Sequence, residues 1–123
     1  MGREDINELN IYQLGQKIGQ DIYQLAHNWE TFERNTIGFQ LVRSADSISA
    51  NISEGYGRYS FKEQRQFCYI ARGSLYETKT WLQKAFQRVH KDRGKILEIS
   101  SSLNELHIKL NAYIKYIDRN ITT

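Results

Sequence analysis

The strongest constraint on this chain lies near its C-terminal end, where Ile96, Ile99, Leu103, Leu106, Leu110, Tyr113 and Ile117 recur at alternating steps of three and four. That interval is the a/d seam of a helix packed along its whole length against other helices. Three earlier runs read the same way. Ile11, Leu14, Ile18, Ile22, Leu25 and Trp29 line one face of a first helix over roughly residues 7–29, and Leu41, Ala45, Ile48 and Ile52 line a second over roughly 34–55. A third helix runs from Ser60 to about Val89. Its predicted apolar face carries Phe67, Ala71, Ser74, Thr78, Trp81 and Ala85, with Leu75, Leu82, Phe86 and Val89 alongside. Proline, which costs about 3 kcal/mol inside a helix, is absent from all 123 residues. Punctuation comes instead from caps and glycines. Thr31 or Asn35 is placed to cap helix two, Gly55 and Gly57 to close it through a positive φ, and Ser60 with Glu63 to form a capping box. Four long helices joined by short turns predict an all-α, up-down-up-down antiparallel four-helix bundle, with residues 1–123 as one domain.

Several function classes lose their chemistry at this stage. Cys68 is the single cysteine, so neither an internal disulfide nor a thiolate metal cage is available. His27, His90 and His107 fall on three separate segments with no ligand spacing between them. Glu54, Glu63 and Glu77 lie on helices expected to face each other, yet lack the Glu-x-x-His pairs that di-iron bundles use. "EGYGR" has neither a Walker lysine nor a preceding strand and reads as a helix stop. The expectation is no catalytic centre, metal site, cofactor or small-molecule substrate. "MGREDINELN" lacks a signal-peptide core, and no segment approaches the ~20 apolar residues of a membrane span, so a soluble, cytoplasmic protein is expected.

Polar residues also keep helical spacing. Arg43, Ser47, Asn51 and Glu54 share a face of helix two, and Glu63, Phe67, Ile70, Ser74 and Glu77 answer on helix three. A hairpin turning near Tyr59 sets Arg43 near Ser74 and Glu77, and sets Asn51 and Glu54 near Phe67 and Glu63. A buried Arg–Glu pair there fixes register more than it stabilises, because desolvation offsets much of the attraction. Glu54 stands at the carbonyl end of its helix, where the dipole disfavours a carboxylate. Either a partner or the amides of the next turn hold it, or it is solvated at a frayed end.

The segment "QLVRSADSISANISEGYGRYSFKEQRQFCYIARGSLYETKTWL" resembles a bacterial four-helix-bundle family of proteins encoded by intervening sequences in large-subunit ribosomal RNA genes, sometimes described as ribosomal-protein-like. The resemblance is carried by Gln40, Arg43, Ser47, Ile48, Asn51, Ile52, Glu54, Gly55, Ser60, Glu63, Phe67, Ala71, Gly73, Ser74, Leu75 and Glu77. The sequence departs from the family pattern at Val42 and Ser44, and "NWETF" replaces the usual "FP" before helix two. The resemblance implies a ring-like homopentamer without catalytic activity. It also implies kinship with the accessory variability proteins of diversity-generating retroelements, which resemble nucleic-acid-binding partners of a reverse transcriptase.

A final pattern stands apart from that resemblance. Arg58, Lys62, Arg65, Tyr69, Arg72, Tyr76 and Lys79 form a stripe along helix three, roughly 30 Å long at 1.5 Å per residue, and Lys84, Arg88, Lys91, Arg93 and Lys95 would extend the positive surface toward the turn between helices three and four. Residues 58–95 hold ten Lys or Arg against three acids, a local charge of +7, whereas the whole chain is only +3. Cations interleaved with tyrosines suit a phosphate backbone and unpaired bases, so RNA or DNA is the expected partner. An acidic protein partner, a subunit interface and a merely solvated face are the alternatives.

Overall fold

The computed structural model describes residues 5–121. The four periodic runs form α1 Asn10–His27, α2 Phe39–Tyr56, α3 Phe61–Arg88 and α4 Arg93–Arg119. Each helix packs mainly against its neighbours in sequence, and α1 closes the circle against α4. Gly15 meets Ser49 while Gly19 meets Asp46, Ser47 meets Ser74 while Ser44 meets Thr78, and Arg72 meets Asn111 while Arg65 meets Asp118, so successive helices are antiparallel. The up-down-up-down bundle is therefore the fold.

Its core is aliphatic. Ile11, Ile18 and Ile22 of α1, Leu41 and Ile48 of α2, Leu75 and Leu82 of α3, and Ile96, Leu103, Leu106, Leu110 and Ile117 of α4 are all essentially inaccessible to solvent. In α4, Ile114 and not Tyr113 fills the last but one seam position, and Tyr113 is only partly buried. A straight helix turns 3.6 residues at a time, so a strict seven-residue seam drifts off the core-facing side within a few turns. In α3 the inward face is carried by Cys68, Ala71, Leu75, Thr78, Leu82 and Ala85. Phe67, Ser74 and Trp81, expected on that face, sit half-buried at its edge.

The connections differ from the expected punctuation. Helical structure resumes at Thr31, and neither Thr31 nor Asn35 caps it. A short α turn, Thr31–Glu33, passes directly into a π segment, Arg34–Gly38, and then into α2. A π turn contains one residue more than the surrounding helix needs. It buries Ile37 while leaving Phe32 and Phe39 exposed. At the other end of α2, Gly57 closes the helix at φ −79°, and no glycine among the described residues has a positive φ. Gly55 is needed for closeness: a Cβ there would lie 2.8 Å from the Cβ of Phe67 and 3.1 Å from the carbonyl oxygen of Gln64.

Two links tie the ends of the bundle. Ser60 caps α3 by accepting from the Glu63 amide at 3.1 Å, with its hydroxyl 3.2 Å from the Glu63 carboxylate. The buried Trp29 donates its indole N–H to Asp92 at 2.8 Å, joining the α1–α2 connection to the turn before α4.

Candidate nucleic-acid interface

The polar seam forms between α2 and α3, about one turn further along α3 than a hairpin pivoting at Tyr59 requires. The Gln64 side chain donates to the Arg58 carbonyl at 3.0 Å, folding the connecting turn onto the start of α3 and moving the pivot past Tyr59. Ser47 faces Ser74 with their hydroxyls 2.9 Å apart. Ser44 faces Thr78 at the same separation, and both are wholly buried. Asn51 bonds back to the carbonyl and hydroxyl of Ser47 at 2.8 and 3.0 Å, without reaching α3. Arg43 pairs with Glu77, as its spacing predicts, and Glu77 also accepts from the Trp81 indole at 3.1 Å. The expectation of a buried pair is corrected: the Arg43 and Glu77 side chains are 49% and 37% exposed, so solvent screens the attraction.

Glu54 finds its partner four residues on. The Arg58 guanidinium lies 2.8 Å from the Glu54 carboxylate and 3.9 Å from that of Glu63, over the Phe67 ring at 4.9 Å from its centroid. A cation just beyond the last turn offsets the partial negative charge of the helix end that a carboxylate alone would aggravate. The Glu-x-x-x-Arg spacing was the available signal for this pair, and it draws Arg58 out of the basic stripe into the seam.

The rest of the stripe runs beside α4. Arg65 is tied to Asp118 at 2.8 Å, a bond that holds its pKa above the ordinary value. Arg72 donates to Asn111 at 3.0 Å, and Lys79 lies 2.9 Å from Nδ1 of His107. Both tyrosines are flanked by cations: Arg65 and Arg72 over Tyr69 at 5.8 and 5.2 Å, Lys79 over Tyr76 at 5.6 Å. Tyr76 also meets His107 edge-on, with ring centroids 5.0 Å apart. Asn111 and His107, contributed by α4, were not singled out as stripe partners from the sequence, because pairing them with α3 requires the register of the hairpin.

Among the described residues, no carboxylate closes an ion pair with Lys62, Arg72 or Lys79. Lys84 and Arg88 lie off the line of the stripe. At about 100° per residue, Lys84 lies roughly 140° around the α3 axis from Lys79, and Arg88 roughly 180°. Arg88 instead lines a shallow cleft with Glu30 and Glu33 at the end of the bundle.

No group of His, Cys, Asp and Glu suited to a metal ion occurs among the described residues. Burial pushes the Cys68 thiol up to about 11, which leaves it protonated and unreactive near neutrality. No helix among the described residues is long and apolar enough to cross a membrane.

The fold and this surface define an all-α bundle with a cation–tyrosine groove between two adjacent helices. The chain belongs to the 23S rRNA-intervening sequence protein family, whose pattern matches residues 7–112. It is similar in fold to a crystal structure of a protein with unknown function from the S23 ribosomal protein family from Bacteroides thetaiotaomicron. The two share 24% sequence identity at a TM-score of 0.76, over 85% of this chain and 98% of that one. No curated protein matches the chain.

Proposed function

We propose that this protein is a non-enzymatic, homo-oligomeric bundle that binds RNA or DNA through the groove between α3 and α4, with little sequence readout. The observation that carries this reading is the nature of the partners that the arginines and Lys79 meet. Arg72 and Lys79 meet the neutral side chains Asn111 and His107, whereas Arg43, Arg58 and Arg65 meet carboxylates. The positive charge in mid-groove is thus uncompensated, and Tyr69 and Tyr76 lie among these cations with 39% and 54% of their surface exposed. Exposed tyrosines stack on bases of any identity, and uncompensated cations release counterions from a phosphate backbone.

The test is fluorescence anisotropy with short single-stranded and duplex RNA and DNA across a salt series. Engagement of about four phosphates lowers affinity roughly a hundredfold between 50 and 200 mM salt. Reversing charge with Arg72→Glu and Lys79→Glu abolishes the binding, while Arg43→Glu, on α2 at the polar seam, leaves most of it. Absence of binding even at 50 mM salt refutes the reading and leaves the groove to its alternative, an acidic protein partner.

A further inference from the structure

We propose that His107 is a proton-coupled phosphate ligand of the groove, so that the protein takes up a proton at this residue when a nucleic-acid backbone binds between Arg72 and Lys79. The inference rests on the nucleic-acid reading and deepens it. Its geometric basis is the placing of His107 on α4, opposite Arg72, Tyr76 and Lys79 of α3. A lysine ammonium has three donors and no acceptor, so the 2.9 Å approach of Lys79 to Nδ1 requires that nitrogen to accept. The ring proton of the free protein is thereby assigned to Nε2, and one donor of Lys79 is spent on a neutral neighbour.

The surroundings keep this imidazole uncharged until an anion arrives. Burial lowers its pKa below the ordinary value, and the Lys79 and Arg72 charges lower it further. The charges nearest to it in sequence on α4, Glu105 and Lys109, are closed on each other at 2.8 Å and supply no counter-charge. A bound phosphate reverses these terms. It takes the Lys79 ammonium as a partner, offsets the Arg72 charge, and favours a proton from solvent on Nδ1, after which both ring nitrogens donate. Affinity must then rise as pH falls, and level off below the pKa of the free protein, by roughly tenfold for each unit that binding raises the His107 pKa.

The experiment measures anisotropy of a labelled oligothymidylate between pH 5.5 and 8 at constant ionic strength, because thymine does not titrate in that range. The native protein is compared with His107→Gln and His107→Lys, each checked for native helicity, and the His107 ring resonances are titrated with and without the oligonucleotide. The expected result is tighter binding toward acid for the native protein, with the His107 pKa higher in the complex. H107Q loses that slope, and H107K binds tightly at every pH. Equal pH slopes in the native protein and H107Q, or an unmoved His107 pKa, overturn the inference while leaving the nucleic-acid reading intact. No binding at any pH overturns both.

Discussion

At the scale of single residues, the groove shows how one contact sets the character of another. His107 is partly buried and faces two cations, so its neutral form is favoured in the folded chain. Replacing Lys79 by Met removes one of those cations and keeps much of the side-chain volume. The His107 pKa, followed by its ring proton resonance, should rise in that variant yet stay below the ordinary value near 6.5, because burial is the larger cause and remains. The linked stability has a definite sign. With the folded pKa lowered, the unfolded chain binds the proton more readily, so the His107 contribution is complete above about pH 6.5 and is lost as pH falls through the folded value. Lys79→Met should therefore lose less stability on mild acidification than the native protein. Cys68, by contrast, is held protonated by burial alone and has no part in the groove.

At the scale of elements, helix pairs are set by small residues as much as by large ones. A methyl group at Gly55 would collide with the Phe67 Cβ and the Gln64 carbonyl, both fixed parts of α3. Gly55→Ala should destabilise the protein by about 1–3 kcal/mol, read from the denaturation midpoint, by forcing α2 and α3 apart. The sequence made the helices themselves legible, because apolar spacing and the Ser60–Glu63 cap are local. It showed the Arg43–Glu77 pairing as well, since a one-turn error in register still leaves two long side chains within reach. It did not show Ser44 against Thr78, whose short side chains meet only at the true register. It misplaced Tyr113 for the same reason that an ideal heptad fails on a straight helix. Lys84 and Arg88 are rotated by roughly 140° and 180° from Lys79 around α3, so charge close in sequence is not charge on one face.

At the scale of the whole molecule, the aliphatic core accounts for the bundle and leaves two kinds of surface outside it. One is the cationic groove. The other is apolar: Phe32 and Phe39 are 73% and 54% exposed, and Phe39 lines a cleft of about 370 Å³ with Tyr23, Ala26, His27 and Val42. Exposed apolar surface of this kind supports the homo-oligomer in the proposed function. The family resemblance implies a mass near five times the 14.5 kDa protomer in light scattering at micromolar concentration, and a stable monomer would remove the homo-oligomer from the proposal. The π segment beside that cleft has a further consequence. One surplus residue in a helix rotates everything before it by roughly 100° relative to everything after it, so Arg34–Gly38 acts as a phase shifter. Phe32 before it and Phe39 after it stand out from the bundle while Ile37 within it is buried, and these orientations are geared together through a single turn. Loss of one residue there would leave a smoother helix and a mis-phased molecule, with its buried isoleucine and its outward-facing rings no longer all in place.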